Sequence, residues 1–449
     1  MKRIPIKIKE KTEILLTSEI SRKMASHAVW SLLGSVFSKI LILVGAMAIS
    51  RLLGKEQYGS LGIIRSTIQM FIAFAGFGIG ATASKFIAEN RDTNSEKTID
   101  IYLISNGFSL AIGLVASILI FIFAPYIAIQ SLHAPHLVTE IRIGGVIFLF
   151  SVLDGAQNGV LSGFEDFKSL AKTNILKGFT QVIFSILLTY YFGLKGAIIG
   201  FGLSFGVAWL SNFIVIRRHI KSLEVGLISR LKLITFKKLS VLWQFSLPAA
   251  ISSMIMPFAI WWIKTLLVKK DGFEAMATYD VAEQWRTQIL FIPAILSQIV
   301  LPMIANINTN GSSQEFKDTI KWNLILNVST TTVLTIIIFF SGNYIMEAYG
   351  EGYLNTAPLY ILAGSTILVS ASNILFPLLM VYNKLWYGLY INIFWCICCI
   401  ILAKIFLNYG LAETGLALSI LFSYCISISI QGIYVWHLIK SKKNGLSAK

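Results

Sequence analysis

The chain has 449 residues, 55% of them hydrophobic and only 13% charged, with a formal net charge of +16. Soluble domains carry about a quarter charged residues, so this composition and a mean hydropathy of +0.72 exclude an ordinary globular domain and predict a polytopic membrane protein. Lys and Arg lie mostly in the tails and in alternate loops, where they encode orientation, which argues against nucleic acid as the partner of the positive charge.

In chain order, residues 1–27 read as a cytoplasmic segment. Within it TEILLTSEISRKMASH is able to lie as a short amphipathic helix on the membrane, and no cleavable leader is expected. Apolar windows, each near the ~20 residues a crossing needs, predict six spans near 28–50, 59–82, 101–124, 141–163, 170–192 and 196–216. Six more follow near 243–267, 279–304, 319–341, 357–381, 385–407 and 413–438. The fold class expected is therefore all-α, with twelve spans in two lobes, 28–216 and 243–438. A basic linker, 217–242, joins them and suits anionic lipid, and a short tail, 439–449, ends the chain. The even count and the basic loops place both termini in the cytoplasm.

Several residues stand against this apolar background. Pro248, Pro257, Pro293, Pro302 and Pro377 are expected to kink spans seven, eight and ten, which marks spans seven and eight as candidate gating elements. Gly76, Gly78 and Gly80 allow bending or close packing at the end of span two. Cys396, Cys398, Cys399 and Cys425 lie in apolar runs and read as small buried residues. No nucleotide-binding phosphate loop or His/Glu metal cluster occurs, and the five histidines are scattered at helix ends. The chain reads as a non-enzyme.

The informative residues are ionisable ones inside spans, each a site hypothesis by default. Lys39 lies near the middle of span one, Arg65 in span two and Arg286 in span eight; Tyr58 precedes Arg65 by the same seven residues as Tyr279 precedes Arg286. If the three cations face one cavity they attract an anion, and a diphosphate fits their donors. Gln69 and Gln288, with Ser66 and Gln284, could then bond sugar hydroxyls, and Trp261, Trp262 and Trp285 could stack on sugar faces. Asp154 reads equally as a proton site or as a structural hydrogen-bonding partner. Glu283, three residues before Arg286, either neutralises it or couples transport to an ion. Lys264, near Lys269 and Lys270, is expected to snorkel to the outer interface, and Arg142 and Lys177 to act as anchors near helix ends.

ISRLLGKEQYGSLGIIRS (49–66), GFGIGATASKFIAEN (76–90), NGVLSGFEDFK (158–168) and FIPAILSQIVLPMIA (291–305) together resemble the polysaccharide flippases of the Wzx type, in the multidrug/oligosaccharidyl-lipid/polysaccharide exporter (MOP) superfamily. The resemblance implies two six-helix bundles forming a V-shaped cavity with alternating access. It implies as substrate an undecaprenyl-diphosphate-linked oligosaccharide repeat unit, carried to the outer leaflet of a bacterial cytoplasmic membrane. Na⁺ or H⁺ coupling, through Asp154 or Glu283, and polysaccharide polymerase and chain-length proteins as partners are the further expectations. In related lipid II flippases basic residues on helices one, two and eight line the cavity; Lys39, Arg65 and Arg286 stand on those helices here. Two rivals are a multidrug cation antiporter of the same superfamily, which would want acids in its cavity, and a non-transporting scaffold of an assembly complex.

Overall fold

The computed structural model describes residues 19–75, 78–223, 240–310, 313–381 and 384–443. Eleven α-helices occur among them, and no strand. They are α1 (Glu19–Leu53), α2 (Lys55–Ala75), α3 (Ile79–Asn90), α4 (Ser95–Tyr126), α5 (Val138–Gly163) and α6 (Phe167–Lys221), then α7 (Ser240–Asn310), α8 (Ser313–Ala348), α9 (Ala357–Val381), α10 (Leu385–Asn408) and α11 (Ala412–Lys443). The two longest each hold two passes. α6 turns back at Gly193 (φ 56°) and α7 at Gly272 (φ 84°). Positive φ is open to glycine without a Cβ clash, so each reversal needs a single residue.

These turns expose an internal repeat. Gly54 (φ 75°) joins the first two passes as Gly272 joins the seventh and eighth, and Gly193 joins the fifth and sixth as Gly410 (φ 76°) joins the last two. All four lie on one face of the helix array, the glycine-turn face. α1–α6 pack among themselves, as do α7–α11, and α2 lying on α7 is the main contact between the two bundles. Among the described residues, eight helices are long and apolar enough to cross a membrane by length and composition. α2 and α7, which carry Arg65 and Arg286, are not among those eight.

One expectation changes. The second span is not one helix: it breaks at Gly78, whose φ is 59°, and continues as α3 to Asn90. There Gly80 meets Gly159 of α5 so closely that a Cβ on Gly159 would fall 2.1 Å from the Gly80 carbonyl oxygen. The prolines of spans seven and eight lie inside the helix Ser240–Asn310, whose backbone departs from helical φ/ψ at Gly272. The first part of the 12–27 segment, most of the 217–242 linker, Gly76 and the tail beyond 443 lie outside the described residues.

Near the glycine-turn face the bundles meet at backbone distance. A Cβ on Gly59 would lie 1.8 Å from the Phe273 carbonyl oxygen, and one on Gly62 would lie 2.9 Å from Asp280 Cγ. Tyr58, Tyr279 and Tyr349 are fully buried there, with the Tyr58 and Tyr349 rings edge-on at 6.1 Å. Gly59→Val therefore forces the bundles apart. Overpacking costs about 1–3 kcal/mol, a population shift of about 5–150-fold. Spin labels at Leu52→Cys and Tyr344→Cys should report a longer separation across this face.

On the opposite face Asp166 caps α6, accepting from the Ser169 N–H at 3.0 Å and bonding His219 Nε2 at 2.9 Å. Burial alone would raise its carboxyl, but the bonds from His219 and Ser169 outweigh that and hold it below the ordinary range. The cap stays ionised at neutral pH, and its contribution is lost only as pH falls below the usual carboxylate range.

Candidate functional site

The two arginines singled out by the sequence occupy matching places in the two bundles. Arg65, on α2, lies 5.8 Å from the ring of Tyr58 and 5.9 Å from that of Phe201 on α6. Arg286, on α7, lies 5.5 Å from the ring of Tyr424 on α11, and its Nε donates to Ser365 Oγ of α9 at 3.3 Å. Each guanidinium thus sits over an aromatic ring from the last pass of its own bundle. Neither forms an ion pair among the described residues. Arg286 is buried, and Arg65, half-buried, has a buried Nε with no hydrogen-bond partner. A cation–ring contact contributes about 0.5–2 kcal/mol, against several for removing an ion from water. Both groups therefore keep an unmet demand for an anion.

Lys39 reaches from α1 to the other bundle, where its Nζ lies 4.6 Å from the ring centre of Phe291 on α7. It too is half-buried and free of any ion pair among the described residues. The structure thus brings Lys39 to the stretch of α7 just beyond Arg286, while Arg65 and Arg286 turn into their own bundles. Gln288 is half-buried with its Oε1 unpartnered, and Gln69 is exposed one turn beyond Arg65. Gln284 and Trp261 are already engaged between the bundles: Gln284 Nε2 donates to Tyr58 OH and to Asp280 Oδ2, both at 2.8 Å, and Trp261 Nε1 donates to Thr67 Oγ1 at 3.0 Å.

The acids are spoken for by other cations. Glu283 pairs with Lys264 rather than with Arg286, and Asp280 lies 3.6 Å from the same ammonium. Lys264 is 4% exposed, so it does not snorkel. Its partners are 16 and 19 residues away, on the pass that returns after Gly272, beyond the reach of any one-turn rule. Asp154 accepts from Lys177 Nζ at 2.7 Å and from Asn212 Nδ2 at 3.1 Å. Lys177 is therefore the half-buried partner of a buried acid and not an interfacial anchor. At Glu283 and at Asp154 an ammonium of the chain itself occupies the place a mobile coupling cation would take. Lys177→Met should leave Asp154 buried and unpaired, which costs about 3–5 kcal/mol. Adding Asp154→Asn should restore most of the thermal stability in detergent.

Two sequence patterns with other connotations are structural here. Ser204, inside Gly202-Leu203-Ser204-Phe205-Gly206, lies mid-helix and bonds the Phe201 carbonyl at 2.7 Å, so it is no exposed nucleophile. Cys396 and Cys399 lie one turn apart on α10 as free thiols.

A family model described as "Polysaccharide biosynthesis protein" matches residues 24–308. The chain belongs to that family. Among its relatives, a Shigella flexneri protein named "Putative O-antigen transporter" is 23% identical over 339 residues, covering 73% of this chain and 77% of the relative. Among solved structures, a multidrug resistance MATE family transporter of the MOP superfamily in its inward-facing conformation superposes with a TM-score of 0.78. That match has 16% identity and covers 94% of this chain and all of the other. An outward-facing conformation of a transporter described in the same words scores 0.69, again at 16% identity, over 96% of this chain and 98% of the other. The fold is that of MOP-superfamily transporters, as the motifs around Arg65 implied.

Two residues packed in this region, Asn212 and Tyr349, went unread in the sequence. Asn212, fully buried, also bonds Asn158 Oδ1 at 3.0 Å. An amide within an apolar window was its only local signal; Tyr349, beside Gly350, looked like an ordinary loop residue.

Proposed function

We propose that the protein is a flippase, and not an enzyme, that carries an undecaprenyl-diphosphate-linked oligosaccharide repeat unit from the cytoplasmic to the outer leaflet of a bacterial cytoplasmic membrane. The single observation that carries this reading is a segregation of charge. Asp154, Asp280 and Glu283 are taken by Lys177 and Lys264, while Lys39, Arg65 and Arg286 pair with no carboxylate among the described residues. Bases left without a carboxylate suit a diphosphate and make a poor host for a cationic drug. The fold and the polysaccharide family point the same way.

In this reading Lys39 and Arg65 meet the diphosphate first, because they are the more accessible, and Arg286 engages it as the headgroup moves deeper. Gln69 and Gln288 offer polar contacts to sugar. Lobes 28–216 and 243–438 rock about the site, joined by the cytoplasmic linker 217–242, with both termini cytoplasmic by the positive-inside rule. The glycine-turn face is then the outer one. It is shut by the Tyr58–Tyr279–Tyr349 belt, which in this reading leaves access from the cytoplasmic side. The polyprenyl tail stays in lipid while only the headgroup crosses. Asp154 and Glu283 serve as fixed ion pairs, and any Na⁺ or H⁺ coupling would have to displace or discharge a lysine. Polymerase and chain-length proteins would receive the product.

The test is reconstitution into vesicles with a fluorescent lipid-linked sugar and a membrane-impermeant quencher. Protein-dependent transfer between leaflets without ATP is expected. Transfer no faster than in protein-free vesicles would defeat the reading.

A further inference from the structure

A second group of cations, on the rim of the glycine-turn face, is held without carboxylates. Arg51, in the last turn of α1, donates from Nε to the Ala348 carbonyl at 2.9 Å and from Nη2 to that of Glu347 at 3.3 Å. Lys55, opening α2, donates to the Gly352 carbonyl at 2.7 Å. Between them Ser50 Oγ bonds Tyr353 OH at 2.7 Å. All four bonds run from the first bundle to the segment leaving α8 in the second, and all end on neutral acceptors. The Arg51 acceptors are last-turn carbonyls of α8, that of Glu347 also accepting the Gly350 N–H at 3.1 Å, and they carry the negative end of its dipole. Gly350 and Gly352, at φ 123° and 86°, shape the loop that presents the third. Neither Arg51 nor Lys55 forms an ion pair among the described residues.

The contacts border a pocket of about 740 Å³ whose first-bundle wall carries Arg51 and Lys55 and whose second-bundle wall carries Glu347 and Glu351. Parting the bundles removes the carbonyls and carries both glutamates away. It leaves two bare cations on the first bundle: Lys55, ten residues or roughly 15 Å along α2 outward of Arg65, and Arg51 just across the Gly54 turn from it.

We propose that Arg51 and Lys55 are a ligand-exchanging latch: they hold the outer face shut through backbone carbonyls, and when it opens they become an exit site for the diphosphate. The exit half rests on the flippase reading. While the face is shut the glutamates repel an anion and the carbonyls occupy the cations; once it is open both obstacles leave together. The site is thus available only to a headgroup on its way out.

The experiment uses full-length protein in nanodiscs, with the four native cysteines replaced and spin labels at Leu52→Cys and Tyr344→Cys, both exposed positions clear of the pocket. Distances are measured with and without geranylgeranyl diphosphate. R51Q/K55Q should raise the open population at least fivefold without ligand, whereas R51K/K55R should match the parent. Diphosphate should raise the open population of the parent and of R65Q/R286Q, and R51Q/K55Q should need at least tenfold more of it. An unchanged distance distribution in R51Q/K55Q overturns the latch. If R51Q/K55Q keeps the parent's diphosphate response while R65Q/R286Q loses it, the exit site falls and the cavity reading stands. A parent blind to diphosphate sinks both.

Discussion

With Arg65 and Arg286 both replaced by alanine, leaflet transfer of the lipid-linked sugar will fall at least a hundredfold in vesicles while the protein still inserts and folds. Each substitution removes one charged partner for the diphosphate. A hydrogen bond to a charged group contributes about 1.5–3 kcal/mol, so two lost contacts amount to about 3–6 kcal/mol, or a hundredfold and more. Neither change leaves a carboxylate stranded, because Asp280 and Glu283 belong to Lys264. Stability should hold for the same reason: removing a buried, unpaired guanidinium removes a desolvation cost. Arg65→Lys and Arg286→Lys should recover part of the rate, since a point charge keeps the field but loses the planar fork. Normal transfer by the double alanine variant would reduce both arginines to packing residues.

The largest effect on stability is expected from Lys264→Met. It strands Asp280 and Glu283 in a site where the lysine itself is 4% exposed. Removing one partner of a buried pair typically costs about 3–5 kcal/mol, and here two carboxylates less than a full turn apart lose the same ammonium. The damage should spread beyond one bundle, because Asp280 also accepts from the Gln284 amide that bonds Tyr58 OH. Expression should drop sharply and the midpoint of thermal aggregation in detergent should fall. The triple change Lys264→Met, Asp280→Asn, Glu283→Gln removes every formal charge of the cluster and should recover most of the loss, since neutral replacements of a buried ionic group are often tolerated. A triple variant as unstable as the single one would mean that Lys264 packs rather than neutralises.

Much of this was legible in the chain. Blocks of apolar residues near bilayer length announced the passes, and the Tyr58–Arg65 and Tyr279–Arg286 echo announced the repeat that the turn glycines Gly54, Gly272, Gly193 and Gly410 repeat in the backbone. Both arginines were found because a charge in an apolar window is conspicuous whatever it touches. Their partners were not found, because a helix shows a reader only residues three or four positions away, and Lys177 meets Asp154 across 23. Lys264 failed for a related reason: its neighbours Lys269 and Lys270 suggested an interface, while the turn at Gly272 returned two acids to it.

By itself, then, the amino-acid sequence determined that this is a multi-pass membrane protein and which few residues resist the lipid. Those are properties of composition and local period, decided segment by segment. Only the tertiary structure decided which charges cancel and which are left over. That outcome depends on distances of a few ångströms between helices far apart in the chain, where Coulomb energy in a poorly screening interior is set by the nearest partner.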